Sequence, residues 1–167
     1  MDILTPEQRR FNMSRIRGRD TKPEMLIRRG LHAMGLRFRV QRKDLPGRPD
    51  LVFAGHYAAV FVHGCFWHGH SCPLCCLPAT RTDFWRAKLD ANRQRDEKAL
   101  LSLKNLGWRT LVVWECALRG RARRDPGLVL DQCAGFIRSG EAHGEIAGDW
   151  QGPEACPGGL PPRPQET

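Results

Sequence analysis

No stretch of this sequence stays apolar for long. Its most hydrophobic runs, YAAVFV and TLVVW, span residues 57–62 and 110–114, whereas a bilayer crossing needs about 20 apolar residues. A membrane-spanning helix is therefore not expected. The opening residues MDILTPEQRRF lack the apolar segment of a secretory signal, so the expected compartment is the cytosol. There is no internal repeat. The cysteines, at 65, 72, 75, 76, 116, 133 and 156, are odd in number and four of them are clustered. In a reducing compartment that pattern argues against a disulfide framework and for metal ligation. Negative charge is scarce where most of the chain lies. Residues 1–50 carry 13 Lys/Arg against 6 Asp/Glu, residues 51–120 carry 9 against 5, and only residues 121–167 reverse the balance, with 5 against 7. The overall charge of +9 is thus concentrated in the first two thirds, and such a field attracts polyanions.

What is present suits one domain with a real core. The 167 residues are 41% hydrophobic and 27% charged, ordinary values for a soluble fold. Thr5-Pro6-Glu7 reads as an N-cap with a first-turn proline and opens a basic helix to about Ile16. Thr21-Lys22-Pro23-Glu24 has the capping-box pattern and starts a second helix that ends near Gly35. Strands are expected at 37–40, after the turn LPGRP at 50–53, and at 57–62, the last apolar enough to be buried on both faces. Thr82 is expected to cap a long helix through Leu106. A buried strand at 109–114 and a helix at 126–138 follow. From Gly148 the sequence is dominated by glycine and proline, and a flexible tail is expected. The order implies an α/β sandwich around a small mixed central sheet flanked by helices. The expected organisation is a basic N-terminal arm at 1–20, a core at 21–140 and a tail at 141–167.

The segment VHGCFWHGHSC, residues 62–72, holds three histidines, two cysteines and a Phe-Trp pair. Cys65, His70 and Cys72 give a C-x4-H-x-C spacing that supplies three zinc ligands from one loop, and a structural zinc needs four. Cys116, at the end of the strand TLVVWE, is the favoured fourth, with Cys75 and Cys76 as rivals. His63 and His68 fall outside that set. Asp50 follows a proline turn and leads into a buried strand. A carboxylate there can be a turn residue, or it can hold Mg²⁺ against a phosphate. His68 suits a general base near neutral pH, and Asp96 on the long helix could orient its ring. Asp96 sits in RQRDEK, which also reads as a solvated helix face. Glu24 is accounted for by its capping box and is a secondary candidate.

These residues resemble a known family. NMSRIRGRDTKPE, PGRPDLVF, AVFVHGCFWHGHSCP, PATRTDFWRAKLDANRQRD and GWRTLVVWECALRG, in that order, are similar to the very short patch repair (Vsr) endonucleases from about residue 5 to 138. The resemblance implies a restriction-endonuclease-like fold. It also implies a nickase, expected to be monomeric in the bacterial cytosol or nucleoid, that cuts 5′ to the T of a T·G mismatch left by 5-methylcytosine deamination in CC(A/T)GG-type sites. It implies Mg²⁺ on Asp50 and the Val62 main-chain carbonyl, although the family usually has threonine at that second position. It further implies His68 with Asp96 as the water-activating base, His63 and Glu24 as auxiliary residues, and zinc on Cys65, His70, Cys72 and Cys116. Phe66, Trp67 and Trp85 match aromatics that wedge into the duplex, and Met13 a wedge from the other groove. Lys88 and Asn92, one helical turn apart, match base-edge readers. A MutL-like repair protein and a cytosine methyltransferase acting on the same sites are the implied partners. Without the family, Phe66-Trp67 would read as core and Met13 as packing.

Two other functions compete. A related restriction-type nuclease would share the metal site and show no T·G preference, and a zinc-stabilised DNA-binding module would bind mismatched DNA without cutting it. A metal-storage or redox protein using Cys75-Cys76 leaves the basic face and the aromatics without a role.

Overall fold

The computed structural model describes residues 4–16 and 18–152. Cys156 and the rest of the Gly/Pro-rich end lie outside these residues. The described residues form four α-helices, α1 (Pro6–Ser14), α2 (Lys22–Ala33), α3 (Thr82–Asn105) and α4 (Pro126–Arg138), the last three packed on one sheet. The strands are β1 (Arg39–Val40), β2 (Leu51–Phe53), β3 (Ala58–His63), β4 (Arg109–Trp114) and β5 (His143–Ile146). They lie in chain order across the sheet, antiparallel through β1–β2–β3 and parallel through β3–β4–β5. The parallel pairs are possible because α3 and α4 supply the crossovers.

Alternation along β3 and β4 divides the core into two layers. Ala58, Val60, Leu111 and Val113 face Ile27 and Leu31 of α2 and Val129, Cys133 and Ile137 of α4. Ala59, Phe61, Val112 and Trp114 face the other way, toward Leu103 of α3 and the thiols of Cys65, Cys72 and Cys116. Both faces of the central strands are covered, which is why they read as continuous apolar runs. The same parity sends Trp114 to the α3 side, and parallel register sets it beside His63. Both stand at the C-terminal ends of neighbouring parallel strands, where open α/β sheets place their sites.

Helix starts follow the chemistry read from the sequence, with two corrections. Thr5 makes the full capping box with Gln8, and Asp125 accepts from the Leu128 amide at 3.1 Å to start α4. At α2 only half of the expected box forms. Thr21 Oγ1 accepts from the Glu24 amide, at 3.4 Å, but the Glu24 carboxylate turns to Arg28 instead. Thr82 is the first residue of α3 and not its cap: its hydroxyl donates to the carbonyls of Pro78 and Ala79, and Arg81, in the left-handed region at φ 54°, precedes it.

The boundary expected at 141 falls too early. His143–Ile146 forms β5 on β4, from Thr110↔His143 to Val113↔Ile146. Its short, half-polar sequence HGEI has no apolar run to betray it, since only one strand edge and one face are covered. Arg109 draws this region in. Its guanidinium donates to the carbonyls of Phe136 and Ile137 in the last turn of α4, to Glu141 and to His56. Beyond β5, the Asp149 amide donates to the Ala122 carbonyl at 2.8 Å.

Candidate active site and metal centre

Four donor atoms from the loop after β3 and the end of β4 come together. Those of Cys65, His70, Cys72 and Cys116 all lie within 4.8 Å of one another. The loop is wound tightly enough to do this by its own backbone bonds: His68 N–H to Gly64 O, Gly69 N–H to Phe66 O and His70 N–H to Cys65 O. Gly69 takes φ +61°, a conformation that suits glycine. Cys116 arrives from the 3₁₀ turn after β4, and its Sγ is 3.6 Å from His70 Nδ1. Backbone amides already serve the sulfurs. Cys116 N–H donates to Cys65 Sγ and Gly148 N–H to Cys116 Sγ, both at 3.3 Å. The donors share protons unequally, and hydrogen bonds with Cys116 and Cys72 push the Cys65 thiol well up. Hydrogen bonds from Cys116 and Cys65 hold the Cys72 thiol well below its usual range. Burial would lower His70, but hydrogen bonds to the Cys116 and Cys72 sulfurs outweigh it and push the imidazole up to about 9. A buried, closed set of three sulfurs and one imidazole fits a metal ion. Cys75 lies apart, buried among Phe66, Leu77 and Leu89, and burial pushes its thiol up to about 11. The Cys76 side chain turns to the Pro73 carbonyl.

A second constellation adjoins the first. His68 and His63 stack in parallel, with centroids 3.7 Å apart and an interplanar angle of 1°. His68 Nδ1 meets Asp96 Oδ2 at 2.7 Å. Asp96 is therefore on an inward face of α3 and is not simply solvated. Residues 85, 88, 92 and 96 form one helical stripe, and Asp96 is its innermost carboxylate. These groups line a cleft of about 290 Å³ with Trp67, Asn92 and Arg95.

Asp50 stands at the start of β2, behind the histidines. Its Oδ2 accepts from the Val62 amide at 2.7 Å. Burial pushes its carboxyl up to about 7, partly opposed by that hydrogen bond and by the charges of Arg28 and His68, while Glu24 pushes the same way as burial. A carboxylate so placed gains from a divalent cation, and Mg²⁺ is a cation that one or two carboxylates can hold. The hydroxyl of a threonine is not needed for a carbonyl ligand, and valine at 62 leaves that option intact. Glu24 is buried at 2% exposure and paired with Arg28, which also binds Asp20 at 2.7 Å. Its carboxylate is therefore held by Arg28 instead of closing the capping box, and its charge helps to raise the Asp50 carboxyl.

The aromatics form an edge-to-face group at the mouth. Phe66 meets Trp67 at 5.1 Å and Trp85 at 5.5 Å, and Trp67 meets Trp85 at 6.2 Å. All three are half-buried. Lys88 Nζ lies 5.3 Å from the Trp85 ring centroid and 5.6 Å from that of Trp67. Asn92 does something its spacing did not suggest: its amide donates to the Trp67 carbonyl at 2.9 Å and its oxygen accepts from Arg95. Met13 is 40% exposed on α1, a helix with no buried residue, and is not brought to this cluster by any recorded contact among the described residues.

Sequence reasoning missed Trp114, Glu115, Glu145 and Gly148. Glu115 Oε2 accepts from the Cys65 amide at 3.2 Å, and the Trp114 indole N–H donates to Glu145 Oε2 at 3.2 Å. The only early signal was parity: in RTLVVWEC, Trp114 and Cys116 are two apart, as are His63 and Cys65.

The family profile described as DNA mismatch endonuclease Vsr matches residues 1–74, a span that includes Glu24, Asp50, both stacked histidines and three of the four metal donors. The DNA mismatch endonuclease Vsr of Escherichia coli is 48% identical over 122 residues, covering 73% of this chain and 78% of that protein. This chain belongs to the Vsr family. Type II nicking enzymes are similar as well. V.XorIIP of Xanthomonas oryzae pv. oryzae is 50% identical over 117 residues, 70% of this chain and 86% of its own. V.NmeAIP of Neisseria meningitidis is 43% identical over 121 residues, 72% and 86%. The family assigns the chain as an endonuclease of very short patch repair, with DNA as its substrate. Among the described residues no helix is long and apolar enough to cross a membrane.

Proposed function

We propose that this chain nicks one strand on the 5′ side of the thymine in a T·G mismatch, by Mg²⁺-dependent phosphodiester hydrolysis on a restriction-endonuclease-like scaffold. The observation that carries this reading is the His68–Asp96 bond of 2.7 Å in a cleft that His63 and Trp67 also line. Asp96 holds the His68 ring with a proton on Nδ1, which leaves Nε2 to take a proton from water. His63, stacked against that ring, limits its rotation. Asp50 and the Val62 carbonyl would hold Mg²⁺, which when bound neutralises charge on the scissile phosphate and acidifies the attacking water. Glu24 adds negative potential beside Asp50 and strengthens cation binding. Cys65, His70, Cys72 and Cys116 would hold a structural zinc that stiffens the loop carrying Phe66, Trp67 and His68.

Recognition follows from unstacking. Inserting an aromatic beside a mispair costs less than beside a matched pair, and stacking on Phe66, Trp67 and Trp85 returns part of it. Met13 on the basic arm of residues 1–20 supplies a second wedge. Lys88 contacts a base edge, and Asn92 stabilises the loop through the Trp67 carbonyl while reaching the same groove. The partners consistent with this reading are a MutL-like protein and a cytosine methyltransferase sharing the site, acting on a cytosolic monomer.

The test is nicking of a labelled duplex with T·G in a CT(A/T)GG context, beside matched C·G and T·A duplexes, with and without Mg²⁺. Cutting 5′ to the mispaired T, lost without Mg²⁺ and in Asp50→Ala, is the expected result. Cutting without mismatch preference would replace the substrate with that of a restriction-type nuclease. Tight mismatch binding with no cutting would leave a binding module.

A further inference from the structure

We propose that Trp114 is a positioning residue that couples the four-donor metal centre to the His63–His68 pair, so that the seating of the metal sets the orientation of the base. The coupling is an unbroken series of ring contacts. Trp114 is fully buried. Its indole stacks on the metal donor His70, at 4.3 Å between centroids and an interplanar angle of 16°. The same indole meets the His63 ring edge-on at 5.3 Å and 69°. His63 in turn stacks on His68, which bonds Asp96. Trp114 thus stands between a donor that a bound ion would fix and a ring against which the proposed base lies.

Two features make this more than core filling. Trp114 is held in rotation by a directional bond, its N–H to Glu145 Oε2 of β5 at 3.2 Å. It also lies on the strand that delivers Cys116 two residues later, and in register with His63 on the neighbouring strand. In an interior packed like a crystal, a displaced ring passes its displacement to the rings it touches. A bulk-filling side chain would need neither the bond nor the near-parallel stack on a ligand.

The coupling rests on the roles assigned above to His68 and to the metal donors, and it is tested with a readout independent of activity. Protein labelled in its histidine rings is prepared with zinc and, separately, with the larger cadmium ion, for the native chain, Trp114→Phe and Glu145→Ala. In the native chain the His63 and His68 ring resonances are expected to move on exchanging zinc for cadmium. In Trp114→Phe that movement should fall to less than half. With zinc bound and metal content unchanged, kcat on the T·G duplex should drop about tenfold in Trp114→Phe and about threefold in Glu145→Ala, with KM within twofold. Glu145 is exposed, so Glu145→Ala keeps the core intact and carries the test alone if Trp114→Phe fails to fold. Ring signals that ignore the metal exchange in the native chain, or that respond equally in the variants, overturn the coupling. Ring signals that behave as expected in a native protein that does not cut T·G duplexes overturn the functional reading and leave the coupling standing.

Discussion

At the scale of single residues, the site works by placing groups where they are uncomfortable alone. Asp50 is the clearest case, its carboxyl pushed up to about 7 chiefly by burial. A raised carboxyl pKa gives stability that is fully present below the unfolded value near 4 and is lost as pH rises through about 7. Metal-free protein should therefore melt at a lower temperature at pH 8 than at pH 5.5. Asp50→Asn should flatten that dependence, and Mg²⁺ should restore part of the loss at pH 8. A melting curve indifferent to pH in the native chain would contradict the buried carboxylate. His68 and Asp96 divide their work unequally. His68→Ala removes the proposed base and should lower the cutting rate by about 10²–10⁴-fold. Asp96→Asn keeps the ring but weakens its orientation, so a smaller loss in kcat at similar KM is expected in single-turnover nicking. Asn92, by contrast, has its amide engaged with Trp67 and Arg95. Asn92→Ala should therefore loosen the aromatic loop as well as any base contact, and weaken binding to matched and mismatched duplex together.

At the scale of elements, the loop after β3 is the unit of function, and it is closed from a distance. Its metal donors come from 65–72, yet Cys116 comes from the end of β4 and the amide on Cys116 Sγ comes from Gly148 after β5. A Cβ on Gly148 would lie 2.4 Å from the Cys116 carbonyl oxygen and 2.6 Å from that of Ala122, and both are backbone atoms that cannot swing aside. Gly148→Ala should push this segment off the centre and speed metal loss to a chelating dye by about tenfold, in line with the effect of other groups that support metal ligands. Unchanged release would mean the Gly148 contact is incidental. α3 shows why sequence patterning succeeded only in part. Its length and its end at Gly107 were legible, because glycine at φ +84° stops a helix. Which of its many charges turns inward is not set by the pattern of α3 itself: Asp96, equally readable as a solvated helix face, owes its half-buried place to His68 on another element.

For the whole molecule, charge and metal set the two global dependences. The positive excess over residues 1–120 implies counterion release on binding DNA. For about 6–10 phosphate contacts, affinity for any duplex should fall about 10³–10⁵-fold between 50 and 200 mM salt. The ratio of mismatched to matched affinity should change far less, because base unstacking releases no counterions. A salt-independent affinity would deny the basic field its role. Removing the metal proposed for the Cys/His centre would untie the loop from two strand ends, and the melting temperature should drop by about 10 °C or more for a chain of this size.

The sequence by itself determined the local and the periodic: the cap at Thr5, the helices, the buried strands β3 and β4, the basic bias and the density of donors between His63 and Cys72. These are readable because hydrogen-bonding side chains act within a turn and apolar alternation repeats every two residues. Only the tertiary structure decided that Cys116 and not Cys75 meets His70, that Glu24 pairs with Arg28 instead of completing its cap, that HGEI pairs as β5, and that Trp114 touches both His70 and His63. All but the Glu24 pairing depend on contacts between elements far apart in the chain, where strand register and packing choose the partner and no local pattern encodes it.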